Sequence, residues 1–151
     1  MTPDLTLTYI DADETWKARM AEAWDAMTAR HMHLTDGFTL LALDAGVPVG
    51  LISVYWRDLP APLAEVQEGF IDIIGVSATH RRRGIATTLV AMAAARARAQ
   101  GAYQLRAWSS EDKTEAIPLW QRLGFGLCPA TVYPGGVTVR GYFVAQVLSH
   151  D

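Results

Sequence analysis

The sequence predicts one layered α/β domain (α+β in some schemes), with a mixed, mostly antiparallel sheet of about seven strands and three or four helices. Three observations lead there. Short runs rich in β-branched and aromatic residues, bounded by turn residues, recur along the chain. Two pairs of such runs flank turn signals, Asp44-Ala45-Gly46 and Pro134-Gly135-Gly136, as antiparallel hairpins do. Between them, residues 70–108 read strand, helix, strand, a unit that makes a parallel pair with a right-handed crossover. A length of 151 residues suits a single domain with a real core, 1–151, and no repeat, low-complexity tract or linker divides it.

The elements follow in order. Residues 5–10 alternate in the manner of a first strand, and Asp11 and Asp13 are candidate caps for a helix over 14–32. Trp16, Met20, Ala23, Trp24 and Met27 give that helix an apolar stripe, which reads as core or, alternatively, as a substrate wall. Strands over 37–43 and 47–56 form the first hairpin. Residues 59–69, with Pro60, Pro62 and Gly69, read as a loop carrying Glu65 and Glu68. Next come an apolar strand over 70–76, a polar and basic turn over 77–83, and a helix over 84–100 stopped by Gly101. Ile85, Leu89, Val90, Ala93 and Ala97 recur in that helix near helical spacing. A strand over 103–108 precedes a short helix over 111–123, with Ser109 or Ser110 as cap. Pro118 either kinks this helix or marks its true first turn. Strands over 125–133 and 138–148 close the chain.

Composition narrows the function. Half the residues are hydrophobic and 19% are charged, as in a soluble globular protein. The apolar runs are too short or interrupted to span a bilayer, and the first residues show no basic and apolar leader. The expectation is a cytoplasmic protein with no membrane partner. Cys128 is the one cysteine, which excludes an internal disulfide framework and a cysteine metal cluster. His31 and His33 are only two apart, and on a helix that spacing puts them on different faces, so no zinc pattern and no metal are expected. Net charge is −3, yet residues 73–110 hold six Arg and no acid, leaving seven basic against 16 acidic residues elsewhere, a net of −9. A basic segment within an acidic chain suits a small anionic ligand better than a nucleic-acid backbone.

That segment starts a helix. The first turn of a helix has N–H groups with no internal partner, and the helix dipole adds positive charge there. Phosphate binds such a terminus when the backbone can come close, as Gly84 and the small Ala86 would allow beside Arg81, Arg82 and Arg83. The plain alternative is an ordinary strand–turn–helix with a solvated basic turn. Two familiar phosphate loops are excluded, since neither a Walker-type lysine loop nor a G-x-G-x-x-G after a strand is present.

Arg81-Arg82-Arg83-Gly84-Ile85-Ala86 matches a signature of Arg or Gln, two free positions, Gly, one free position, then Gly or Ala. With Ile73-Ile74-Gly75-Val76 before it and Ile117-Pro118-Leu119-Trp120-Gln121-Arg122-Leu123-Gly124-Phe125 after it, the stretch from about 70 to 126 resembles the GNAT superfamily of acyl-CoA-dependent N-acyltransferases. The resemblance implies a GNAT fold whose fourth and fifth strands are parallel and splay apart. It implies acetyl-CoA as acyl donor, an amine acceptor, and direct attack by the amine. Ile74 and Val76 would offer unpaired backbone groups to pantetheine, and the Val76 amide would stabilise the thioester oxygen. The diphosphate would sit on amides from Arg82 to Thr88, with Arg81, Thr87 and the rest of the turn around it. Trp120 stands where many members carry a Tyr that protonates the thiolate, and an indole N–H is no useful acid. It would instead pack beside pantetheine. Lys113 stands where an Asn is often found. Tyr103, Tyr133 and Tyr142 are substitutes for the acid, and water is another.

For the amine end, Asp72 is the first choice as base or orienting group. It interrupts an apolar strand, where a carboxylate is costly without a partner or a task. Glu65 and Glu68 follow, each read more readily as a solvated charge. His80, in the basic turn, reads as exposed or as lying at the phosphate edge. Trp24, Tyr55 and Glu65 join Asp72 as expected lining of the acceptor pocket, beside Trp16 and Trp56. A homodimer is the common expectation for such a chain. The rival reading is a CoA-binding regulatory or interaction module that keeps the fold with little turnover.

Overall fold

The structure, a computed structural model, describes residues 6–110, 116–132 and 139–148. Its strands are β1 (Leu7–Asp11), β2 (Gly37–Asp44), β3 (Val47–Asp58), β4 (Gln67–Val76), β5 (Gln104–Ser110), β6 (Gly126–Val132) and β7 (Val139–Val147). The helices are α1 (Glu14–Ala23), α2 (Ala26–Arg30), α3 (Ile85–Gln100) and α4 (Ile117–Arg122). The strands form one sheet in the order β1-β2-β3-β4-β5-β7-β6, antiparallel throughout except between β4 and β5. The expected class, strand number and helix number are all met.

Local chemistry explains the joints. Ala45 and Gly46 both take positive φ, 50° and 84°, which gives the two-residue β2–β3 hairpin the twist its strands need. Gly84 and Gly101 bound α3, both left-handed, at φ 79° and 89°. One face of α3 buries Ile85, Leu89, Val90, Ala93 and Ala97 against Leu40, Ile52, Val54, Ile71 and Leu105 of the sheet. The opposite sheet face holds a smaller core of Met20, Met32, Leu41, Leu43 and Leu51, with Trp16, Trp24 and Ile73 around it.

Three expectations are corrected. The helix over 14–32 is two helices, because the Asp25 side chain accepts from the Thr28 amide at 2.6 Å and starts a new one. A short polar side chain can outbid the continuing helix for such a donor. Met27 then faces outward, 56% exposed. Second, β4 starts at Gln67, so Glu68 is no solvated loop charge. It is fully buried, accepting from Arg106 Nε and Nη2 at 2.7 Å each and from Gln104 Nε2 at 3.0 Å. Third, α4 is short and no side chain caps it. Pro118 sits in its first turn, and Ser109 belongs to β5. Lys113 and Tyr133 lie outside the described residues.

Candidate functional site

The site grows from the way β4 leaves β5. The two strands pair only at Gly69–Leu105, Phe70–Arg106 and Ile71–Ala107, and then diverge. On the other side β4 stays bonded to β3 up to Gly50–Val76, and the Ser77 amide donates to Val49 O at 2.8 Å. Antiparallel pairs alternate between bonded and non-bonded. Counting back from Ser77, the backbone groups of Val76 and Ile74 turn away from β3, toward the opening. Asp72 stands where that opening begins. Ser53 pairs with Ile73 and Val54 with Ile71, so Asp72 is the extra residue of a bulge. Bulges re-aim side chains, and here the result is a shift in parity: Ile71, Ile74 and Val76 pack with the α3-side core, whereas Ile73 packs with the other.

A cavity of about 280 Å³ fills the opening, lined by Asp72, Ile74, Trp108, Ser109 and Trp120 among others. Trp120 is 5% exposed and lies edge-on to Phe125, with ring centroids 4.9 Å apart. Ser109 lines this cavity, Tyr142 is buried in the core, and Cys128 is exposed.

A second cleft, about 690 Å³, runs from Val76 over the start of α3 to Leu119 and Arg122 of α4. His80, Arg81, Arg82, Gly84, Ala86 and Thr87 also line it. Nothing lies within 4 Å of the place a Cβ would take on Gly84, so the glycine opens onto free space. Arg81 and Arg82 are exposed, and Arg82 has φ 66°. Arg83 leans the other way, 3.9 Å from the Asp44 carboxylate, and is absent from the cleft lining. Ile85 also lines the cleft, although its side chain is buried in the core. The Thr88 amide already donates to Gly84 O at 3.0 Å, which ends the run of open amides at Thr87. His80 is held by Asp44 Oδ2 at 2.7 Å and by Thr79 Oγ1 at 2.8 Å. Hydrogen bonds from Thr6, then from His80, hold the Asp44 carboxyl below its ordinary value. Unpaired amides, cationic side chains and an open glycine suit a phosphate ligand, and the free edge of β4 suits an amide-bearing arm.

Other expected residues scatter. Tyr55 reaches the Asp72 neighbourhood, stacked on His33 with centroids 4.6 Å apart. Trp24 packs into the smaller core, close against Gly75, and its Nε1 donates to Pro48 O at 3.2 Å. Glu65 is exposed in the loop before β4. The expectation for His31 and His33 is overturned. α2 ends at Arg30, so neither lies within a helix, and both rings reach Asp72. Sequence spacing missed them and Asp36. The signal available was Asp25, a cap residue that starts a new helix and so breaks the spacing counted from Glu14.

Comparison with protein families matches residues 4–125 to the Acetyltransferase (GNAT) family. No curated protein matches the chain. Several solved structures do. NAA60 of Arabidopsis thaliana in complex with a bisubstrate analogue is 13% identical, covering 97% of this chain and 100% of that one, with a TM-score of 0.76. Naa50 of Arabidopsis thaliana in complex with the bisubstrate analogue CoA-Ac-MVNAL is 14% identical over 95% and 99%, with a TM-score of 0.73. The yncA protein of Salmonella typhimurium with its cofactor acetyl-CoA is 17% identical over 97% and 96%, with a TM-score of 0.70. At such identities the likeness is one of fold. Joined to the family match over most of the sequence, it places this chain in the GNAT acetyltransferase family.

Proposed function

We propose that the protein is an N-acetyltransferase that moves an acetyl group from acetyl-CoA to an amine. The observation that carries this is the opening of β4 from β5 at Asp72, with a carboxylate at one end and the basic start of α3 at the other. Acetyl-CoA, when bound, supplies an activated thioester: the amine nitrogen bonds to the carbonyl carbon, the C–S bond breaks, and the thiolate leaves to take a proton from water. The open amides up to Thr87, with Arg81, Arg82 and Arg122, hold the diphosphate. The freed groups of Ile74 and Val76 hold the pantetheine arm, and the Val76 N–H faces the thioester oxygen. Asp72 orients the acceptor nitrogen and takes its proton. None of these roles requires a metal.

The acceptor side is formed by α1, α2, Tyr55 and the loop before β4. The bisubstrate analogues bound to NAA60 and Naa50 support an amine or peptide acceptor. The second reading, a CoA-binding module with little turnover, draws on Trp120, a non-acidic residue where many relatives place Tyr. The experiment is a thiol-release assay with acetyl-CoA and four acceptors: a polyamine, an aminoglycoside, an amino acid, and a short peptide with a free amino terminus. Acceptor-dependent release of thiol is expected. Tight acetyl-CoA binding with no release from the whole panel favours the module.

A further inference from the structure

We propose that His31 and His33 are positioning residues for Asp72: together they hold one carboxylate oxygen and leave the other for the acceptor nitrogen. This rests on the reading of Asp72 as the group that orients the amine. Both rings meet the same atom. His31 Nδ1 lies 3.0 Å from Asp72 Oδ2, and His33 Nε2 lies 2.8 Å from it. An ionised carboxylate only accepts, so each ring nitrogen donates. Asp72 Oδ1 receives no hydrogen bond from the described residues, and Asp72 lines the cavity between β4 and β5.

His33 is the firmer of the two. Its Nδ1 faces both oxygens of Asp36, at 3.0 and 2.9 Å, and its ring lies on Tyr55. Its backbone is tied as well: the His33 amide donates to Ser53 Oγ at 2.7 Å, and Thr39 Oγ1 donates to His33 O at 2.8 Å. Thr39 and Ser53 are themselves buried and joined at 2.8 Å. His31 is 46% exposed at its side chain and is held by the Asp72 contact. Among the described residues no group of three or more His, Cys, Asp or Glu is arranged to hold a metal ion. A carboxylate at a strand bulge can turn about its own bonds, and two donors on one oxygen stop that turning. The open oxygen then keeps one direction, the kind of orientation on which the rate of amine attack depends.

The test uses the best acceptor of the thiol-release panel. His33→Leu removes the donor, whereas His33→Gln returns an N–H near the place of Nε2 and His31→Asn one near Nδ1. His33→Leu should lower kcat about 10–100-fold with acetyl-CoA affinity unchanged, and His33→Gln should restore most of the loss. Placed on Asp72→Asn, His33→Leu should add almost nothing, because the two changes act on one group. An equal loss in both backgrounds, or no loss in a folded His33→Leu protein, overturns the positioning role. A wild-type rate for Asp72→Asn alone removes Asp72 as the orienting group, and with it the reading on which the inference stands. Should His33→Leu not fold, His31→Leu at the exposed position carries the same comparison. It should lower kcat in the wild type and not in Asp72→Asn.

Discussion

Gly84 is where a single atom should matter most. Its φ of 79° is left-handed, and apart from its own chain neighbours nothing stands within 4 Å of where a Cβ would go. A side chain there meets two costs of different origin. Backbone strain of about 1–2 kcal/mol falls on stability, and the branched group would fill the space that the proposed phosphate site needs. Gly84→Val should therefore lower the melting temperature modestly and weaken acetyl-CoA binding about a hundredfold or more, as losing two charge-assisted hydrogen bonds would. Gly101→Val separates the two costs. Gly101 has φ 89° and equally open surroundings, but at the far end of α3. It should lose stability and keep affinity, as calorimetry with acetyl-CoA beside thermal melts would record. Equal affinity in both variants would move the phosphate away from this helix start. At Asp72 the residue-scale signal is different: a carboxylate in an apolar strand announces a partner or a task, and the strand alone does not say which.

The paired strands β4 and β5 are an element defined by where it stops. Below the opening, the Glu68 carboxylate is fully buried between them and takes a two-pronged bond from Arg106, whose guanidinium also lies over Phe70 and Phe143. Removing one partner of such a pair leaves a buried charge without compensation, at about 3–5 kcal/mol. Glu68→Leu should accordingly destabilise the fold by about that much in urea unfolding, whereas the double change Glu68→Leu with Arg106→Met should recover a good part of the loss. A Glu68→Leu protein as stable as wild type would mean the pair holds nothing together. The element matters for the site because the three paired positions set where divergence begins, one residue before Asp72. Residues 59–69 look like a loop in the sequence because Pro60, Pro62 and Gly69 punctuate them. The final residues of that stretch are strand because they pair with Trp56, Arg57 and Asp58 of β3, and Arg106, 38 residues from Glu68, completes the charge of its carboxylate.

At the scale of the whole molecule, two carboxylates should make folding sensitive to acid. Backbone and side-chain hydrogen bonds from Thr28 hold Asp25 below its ordinary value, and those from Thr6 and His80 do the same for Asp44. A carboxylate held low in the folded state stabilises it above the unfolded value, near 3.8. That stabilisation fades as pH falls through the lower folded value. Urea midpoints should therefore drop as pH goes from about 5 toward 2, and the drop should be shallower in Asp25→Asn with Asp44→Asn. An unchanged pH slope in that double variant would show that neither group links folding to acid. No helix among the described residues is long and apolar enough to cross a membrane.

What the sequence determined by itself is whatever depends on near neighbours. The Ala45-Gly46 hairpin, the strand–turn–helix with Gly84 at its start, the Gly101 stop and the parallel pair follow from turn chemistry, periodicity and chain order, which act over a few residues. So does the phosphate-suited turn, because its parts are consecutive. The tertiary structure decided what depends on distant chain segments meeting. His31 and His33 stand 41 and 39 residues from Asp72, and they meet it because Asp25 starts a new helix, α2 ends at Arg30, and a bulge re-aims Asp72. Helical spacing, applied to residues two apart, puts the two rings on different faces. It carries no information on where a helix end will come to rest on a sheet. That is set by the packing of Met20, Met32 and Trp24 onto β2, β3 and β4, through contacts that exist only once the chain has folded.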